Sequence, residues 1–348
     1  MQRCLSALLV VCLHAAVQST PEALYSRGQH YAELSTQAFE SLLKAAPESG
    51  YVLALLGEVK FKERQYTAAL YAYSEAAKRM PKLRGLHSGI AEIYTAQRKP
   101  AEAADAEAAE RKLGQPDCSV EKLECDFSAG RFADVIKAAK LKQDPEGLYW
   151  MTRAYNELAV QSFAELGTLP DSPELHRVKA QILRDQGQYR DSIEEWRAAL
   201  RSKPADRDLQ HELATSLFLS QDYKATLPEL QQFLKGEPDS ANLNYFVGDS
   251  LFETEQLEQA VPYLETALKL DPNLVPAHVS LGLCYARLGQ AQKAIPHLKL
   301  GLKLDKDGSL YYQLSRAYKA TGQLTLAKAM MDQYQQRKRP DTLTAPVP

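Results

Sequence analysis

The sequence predicts an all-α solenoid of stacked antiparallel helix hairpins. Three observations lead there. The 348 residues are rich in Ala, Leu, Gln, Glu and Lys, the types that favour helix. Small residues recur every 34 positions: Ala180, Ala214, Gly248 and Gly282 form one run, with Ser315 a further 33 on, and Gly57, Ala91 and Cys125 form another. Twelve residues after most of them comes a second small residue (Ala69, Ala103, Ser192, Thr226, Ala260, Ala294 and Ala327), and Pro81, Pro204, Pro238 and Pro272 fall at the same period. Two antiparallel helices approach closely only where both carry small side chains, and a proline then stops the second helix. One such hairpin cannot bury its own apolar face, so the units must stack. Pro228, Pro262 and Pro296, also 34 apart, are expected in the first turn of second helices, where a backbone N–H has no intrahelical partner to lose.

Taken in order, residues 1–19 read as a signal peptide. Arg3 precedes an apolar stretch of about 13 residues from Leu5 to Val17, shorter than the roughly 20 needed to span a bilayer. Cleavage fits after Ser19, with the Ala15-Ala16 pair as a rival. Leu9-Val10-Val11-Cys12 offers a poor lipoprotein alternative because Val11 is bulky, and an uncleaved amphipathic helix is the other reading. Residues 20–49 follow as an opening long helix, 50–117 as two repeats and 118–145 as a degenerate one. Residues 146–172 form a long or kinked helix, 173–341 form five repeats, and 342–348 form a disordered tail. A second level of repetition joins the two long helices. Leu24, Tyr31, Phe39 and Leu42 match Leu148, Tyr155, Phe163 and Leu166 at an offset of 124, so each long helix reads as opening its own array.

The 34-residue pattern resembles the tetratricopeptide repeat. Its clearest copy runs Leu281-Gly282, Tyr285, Gly289, Ala294, Leu298, Gly301, and the next Val247-Gly248, Leu251, Ala260, Leu264, Ala267, Pro272. The resemblance implies a right-handed superhelix whose first helices line a concave groove for a peptide or a helix. The groove-facing positions here hold Phe61, Phe218, Asn242, Tyr245, Asp249, Phe252, Arg287, Tyr312, Arg316 and Lys319. Aromatic and Arg side chains anchor interfaces, although Phe218 and Phe252 could equally pack between repeats. Some chaperone-binding members of the family clamp a partner's terminal carboxylate with Lys, Asn and Arg. The matching positions hold Ala54, Glu58 and Gly89, so that ligand is not supported.

No catalytic constellation is visible. Phosphate loops, nucleophile elbows and dinucleotide fingerprints are missing, and His211-Glu212 fails as a zinc helix because residue 215 is Thr. His278 and His297 read as structural, and no cofactor or metal is expected. With 42 basic and 44 acidic residues the net charge is −2, which makes no electrostatic case for nucleic acid or an anionic membrane. Cys118 and Cys125 would be oxidisable in an exported protein, either bonded if Cys118 lies in a loop, or with Cys125 as a buried thiol; Cys284 reads as core. The expected function is a non-catalytic, exported scaffold, periplasmic or secreted, with a protein or peptide partner and no membrane span in the mature chain. The alternatives are an accessory subunit of an envelope complex and a cytoplasmic adaptor. Mass spectrometry of the exported chain is expected to find Thr20 at its start, and a chain retaining Arg3 would contradict the reading.

Overall fold

The computed structural model describes residues 20–142 and 144–338, so the signal peptide expected at 1–19, with Cys4 and Cys12, and the tail after Lys338 lie outside the described residues. The described residues form helices without a strand. In order these are α1 (Pro21–Ala45), α2 (Gly50–Lys62), α3 (Tyr66–Arg79), α4 (Leu86–Ala96), α5 (Pro100–Lys112), α6 (Lys122–Ser128), α7 (Phe132–Lys142), α8 (Pro145–Gly167) and α9 (Pro173–Asp185). They continue as α10 (Tyr189–Ser202), α11 (Arg207–Leu219), α12 (Tyr223–Gly236), α13 (Ala241–Glu253), α14 (Leu257–Leu270), α15 (Val275–Arg287), α16 (Ala291–Gly301), α17 (Ser309–Ala320) and α18 (Leu324–Lys338). None of these helices is long and apolar enough to cross a membrane. The contacts divide the chain into two compact units between Val178 and Lys179, each a stack of antiparallel hairpins of the all-α solenoid class.

The small residues sit where the hairpins close. Ala69, Ala180, Ala214, Ala260 and Ala294 are wholly buried. A Cβ placed on Gly282 would lie 2.9 Å from Leu298 Cγ and 3.0 Å from the Leu298 backbone N, so no larger residue fits without moving a helix. Where the small residue is serine, its hydroxyl is used: Ser192 Oγ donates to the Ala180 carbonyl at 2.8 Å and Ser315 Oγ to the Ala327 carbonyl at 2.7 Å. Each bond joins the two small positions of one hairpin, 12 residues apart.

The period also appears in the backbone. Arg64, Arg98, Gly187, Gln221, Glu255 and Gly289 all have positive φ, between 57° and 76°, at the turns inside six of the hairpins. The N–H after this residue closes the helix end on a carbonyl five residues back, as in Gln65 to Lys60 at 2.9 Å, Gln256 to Leu251 at 2.8 Å and Gln290 to Tyr285 at 2.8 Å. Four of the six carry a Cβ in a region that costs other residues about 1 kcal/mol.

Two features differ from the sequence reading. Pro228, Pro262 and Pro296 are each the sixth residue of their helix, past the first turn. The helices start earlier than the pattern suggested, so each proline gives up one backbone bond. The carbonyls left over belong to Lys224, Glu258 and Gln292, which like the prolines are exposed, so water replaces the missing donor. Second, α8 does not open a new array: it packs antiparallel on α1 inside the first unit, as one continuous helix. Tyr31 and Tyr155, equivalent positions of the 124-residue repeat, stack on each other at 6.3 Å. Leu24 and Leu166 share one apolar cluster, and Phe163 fills the space a Cβ on Gly28 would need. Arg27 Nε donates to Ser162 Oγ at 3.0 Å and Ser35 Oγ to the Thr152 carbonyl at 2.9 Å. The duplicated helices thus meet through equivalent faces, as the two halves of a two-fold dimer do.

In the degenerate repeat, Cys118 lies in the turn before α6 and not in a continuous helix, which brings its Cα within 5.6 Å of Cys125 and joins the two sulfurs. Glu110 caps the start of α4 by accepting from the backbone N–H of Gly85, His87 and Ser88. Chemical denaturation should show Gly282→Ala destabilising the second unit by ~1–3 kcal/mol. Gln221→Gly should stabilise it by ~0.5–1 kcal/mol, because glycine adopts the left-handed turn without strain.

Candidate functional site

The groove-facing residues named from the sequence do not all meet. Phe61 belongs to the first unit, where its ring lies 6.0 Å from Tyr66. The others lie in the second unit, and Tyr245, Asp249 and Phe252 line one cavity of about 400 Å³ between α13, α15 and the segment leading into α17. They lie on one face of α13 because their spacings, four and then three, follow the helical turn.

Aromatic packing builds the site's edge. Phe218 of α11 stacks on Phe246 with ring centres 4.5 Å apart and meets Tyr245 at 5.4 Å, so it both joins repeats and flanks the site. Phe252 is 4% exposed, and the Arg287 guanidinium lies 4.6 Å from its ring centre while pairing with Glu255 at 2.8 Å. Arg287 is therefore already engaged. Asn242, Tyr312, Arg316 and Lys319 are exposed; the Arg316 guanidinium lies 6.0 Å from the Tyr312 ring centre, and Tyr312 also meets Tyr334 at 5.4 Å.

Asp249 is the unusual member. It is only 8% exposed, and its Oδ1 accepts a hydrogen bond from Ser280 of α15. Burial pushes its carboxyl up to about 6, against the Ser280 hydrogen bond, which favours the ionised form; the Glu253 charge adds to the rise. The Ser280 partner, 31 residues away on the next repeat, had no signal in the sequence. Nearby, burial pushes the Cys284 thiol up to about 12, as befits a core residue.

Two further groups escaped the sequence reading. His278 and His297 face each other across one hairpin with their Nδ1 atoms 2.8 Å apart, although 19 residues separate them. His278 Nε2 lies 3.1 Å from the Pro272 carbonyl and so carries a proton there. His278 Nδ1 then accepts, and His297 Nδ1–H donates. Burial and the neighbouring His278 hold the His297 imidazole below its usual range. In the first unit the Arg153 guanidinium lies between Phe127, Trp150 and Tyr149, with ring centres at 4.6, 5.4 and 5.6 Å, and pairs with Glu58 at 3.4 Å. It borders a smaller cavity of about 180 Å³ that none of the groove residues lines. Among the described residues, no group of three or more His, Cys, Asp or Glu could hold a metal ion.

Because its carboxyl is raised, Asp249 favours the folded state most when protonated, and that contribution is lost as pH rises from the ordinary carboxylate value through about 6. The cost of the ionised form is on the order of 3 kcal/mol. Asp249→Asn should therefore raise stability by ~1–3 kcal/mol above pH 6, with the gain fading in acid, as read by urea unfolding over a pH series.

Tetratricopeptide repeat models match residues 177–241, 211–274, 251–314 and 308–340. No curated protein matches the chain. Similar solved structures include MamA from Desulfovibrio magneticus RS-1, at 20% identity over 51% of this chain and 100% of that one, with a TM-score of 0.44. A thermophilic repeat protein of the same kind from Thermus thermophilus, TTC0263, is 22% identical over 48% of this chain and 92% of its own, with a TM-score of 0.36. YrrB, another such repeat protein, with an unusual peptide-binding site, is 20% identical over 48% and 87% of the two chains, with a TM-score of 0.41. With four matches in succession from residue 177 to residue 340, on the 34-residue period that the small residues and the left-handed turns share, this part of the chain is an array of tetratricopeptide repeats.

Proposed function

We propose that this protein is a non-catalytic scaffold that acts outside the cytoplasm, in a periplasm or in secretion, and holds a segment of a partner polypeptide in the second unit. The observation that carries this reading is the cavity on the first helices, where Tyr245, Asp249 and Phe252 converge from one face of α13. Large aromatic side chains at the border of a concave site supply contact area at little entropic cost. An open cavity between first helices of successive repeats suits an extended or helical segment and not a small substrate. The groups the structure does bring together, the His278–His297 pair and the Arg153 cage, satisfy one another and present no nucleophile with an adjacent base. The export setting is supported by the signal-like start and by the Cys118–Cys125 bond, which persists in an oxidising compartment.

Peptides selected from a displayed random library on the full chain should bind in the micromolar range. Tyr245→Ala should weaken them at least about tenfold, with the helical circular dichroism unchanged. Selected peptides indifferent to Tyr245 and also to Phe218 would place the binding surface elsewhere.

A further inference from the structure

The cavity on α13 is chemically lopsided, and this carries the reading above one step further. Asp249 is more than nine-tenths buried; Ser280 engages its Oδ1, while its Oδ2 has no hydrogen-bond partner among the described residues. Glu253, one turn further along α13, is exposed and has no ion-pair partner among them. Asp305 Oδ1 accepts from the Gly308 N–H at 3.0 Å, but its Oδ2 is buried without a partner. Asp307 also borders the cavity, against a single basic residue, Lys306. Four carboxylates thus face one ammonium, and one carboxylate oxygen beside the cavity, Asp305 Oδ2, lacks the donor that buried oxygens ordinarily have. Phe252, Val279, Leu283 and Leu310 make the rest of the lining apolar.

We infer that this cavity receives a lysine or arginine side chain of the bound segment, with Asp249 as its counter-ion. A long basic side chain lays its methylenes on an apolar wall while its head reaches a carboxylate, which is the chemistry this lining offers. A carboxylate kept in a buried place at a cost in stability recovers that cost when a cation arrives. An acidic or purely apolar side chain would leave Asp249 and Asp305 as they are or repel them. The inference rests on the groove reading and adds to it the charge of the partner.

The test uses the full chain and capped nonapeptide mixtures, random except for a central residue fixed as Lys, Arg, Leu or Glu, with affinity read by competition in fluorescence anisotropy. The Lys and Arg mixtures should bind about tenfold or more tightly than the Leu and Glu mixtures, with an advantage that shrinks as salt rises. Asp249→Asn, which keeps the shape of the side chain, should bring Lys and Arg down to the level of Leu. If Leu or Glu binds as well as Lys, or Asp249→Asn leaves the preference intact, the charge assignment is overturned while the groove reading stands. Absence of binding by every mixture, or binding that neither Tyr245→Ala nor Phe218→Ala touches, overturns both.

Discussion

The rest of the structure depends on how closely two helices approach within each hairpin. The approach is set by paired small residues 12 positions apart, one on each helix, and Ser192 and Ser315 show it directly by reaching the carbonyl of the opposite member. Such contact leaves no room for an added methyl group, as the positions of Leu264 against Gly248 and Leu298 against Gly282 show. Once the two helices are fixed, the connecting turn has little choice. It takes a left-handed residue even where the sequence offers Arg, Gln or Glu there instead of Gly. Repeating this geometry places α13, α15 and α17 side by side, so residues on one face of successive first helices come to share a cavity.

That constraint explains what the sequence made legible. Small residues, prolines and helix formers carry a period, and a period survives without knowledge of tertiary contacts. The hairpins, their order and the face on which Tyr245, Asp249 and Phe252 lie follow from it. What could not be read depends on one side chain meeting another at no fixed spacing. The antiparallel pairing of α1 with α8 is such a case: the 124-residue match was visible, but that the copies pack on each other was not. The exposed prolines of α12, α14 and α16 were placed too near the helix start because only the backbone shows where these helices begin. The link from Ser280 to Asp249, the facing imidazoles of His278 and His297, and the approach of Arg153 to Phe127 and Glu58 all join residues of different helices whose separations match no helical repeat.

Stability and recognition pull in opposite directions at the site. A buried aspartate in an apolar core of this kind is a liability for folding, and an asparagine in its place would keep the Ser280 contact without the charge. The surrounding structure makes the liability tolerable: Gly248, the neighbour of Asp249 in the chain, is locked against Leu264 and leaves the carboxylate facing α15. The helix–helix contact that builds the fold therefore also positions the group that most distinguishes the groove. In repeat architectures each unit touches only its neighbours, so such a burden stays local.

Native-state hydrogen exchange on Gly248→Ala tests this account most directly, because a Cβ there would lie 2.7 Å from Leu264 Cγ and must part α13 from α14. Exchange should quicken in α13, α14 and the adjoining faces of α12 and α15, while the helices of the first unit keep their native protection. Unchanged protection in α13 and α14, or an equal loss throughout both units, would contradict the claim that paired small residues hold each hairpin together and set the groove.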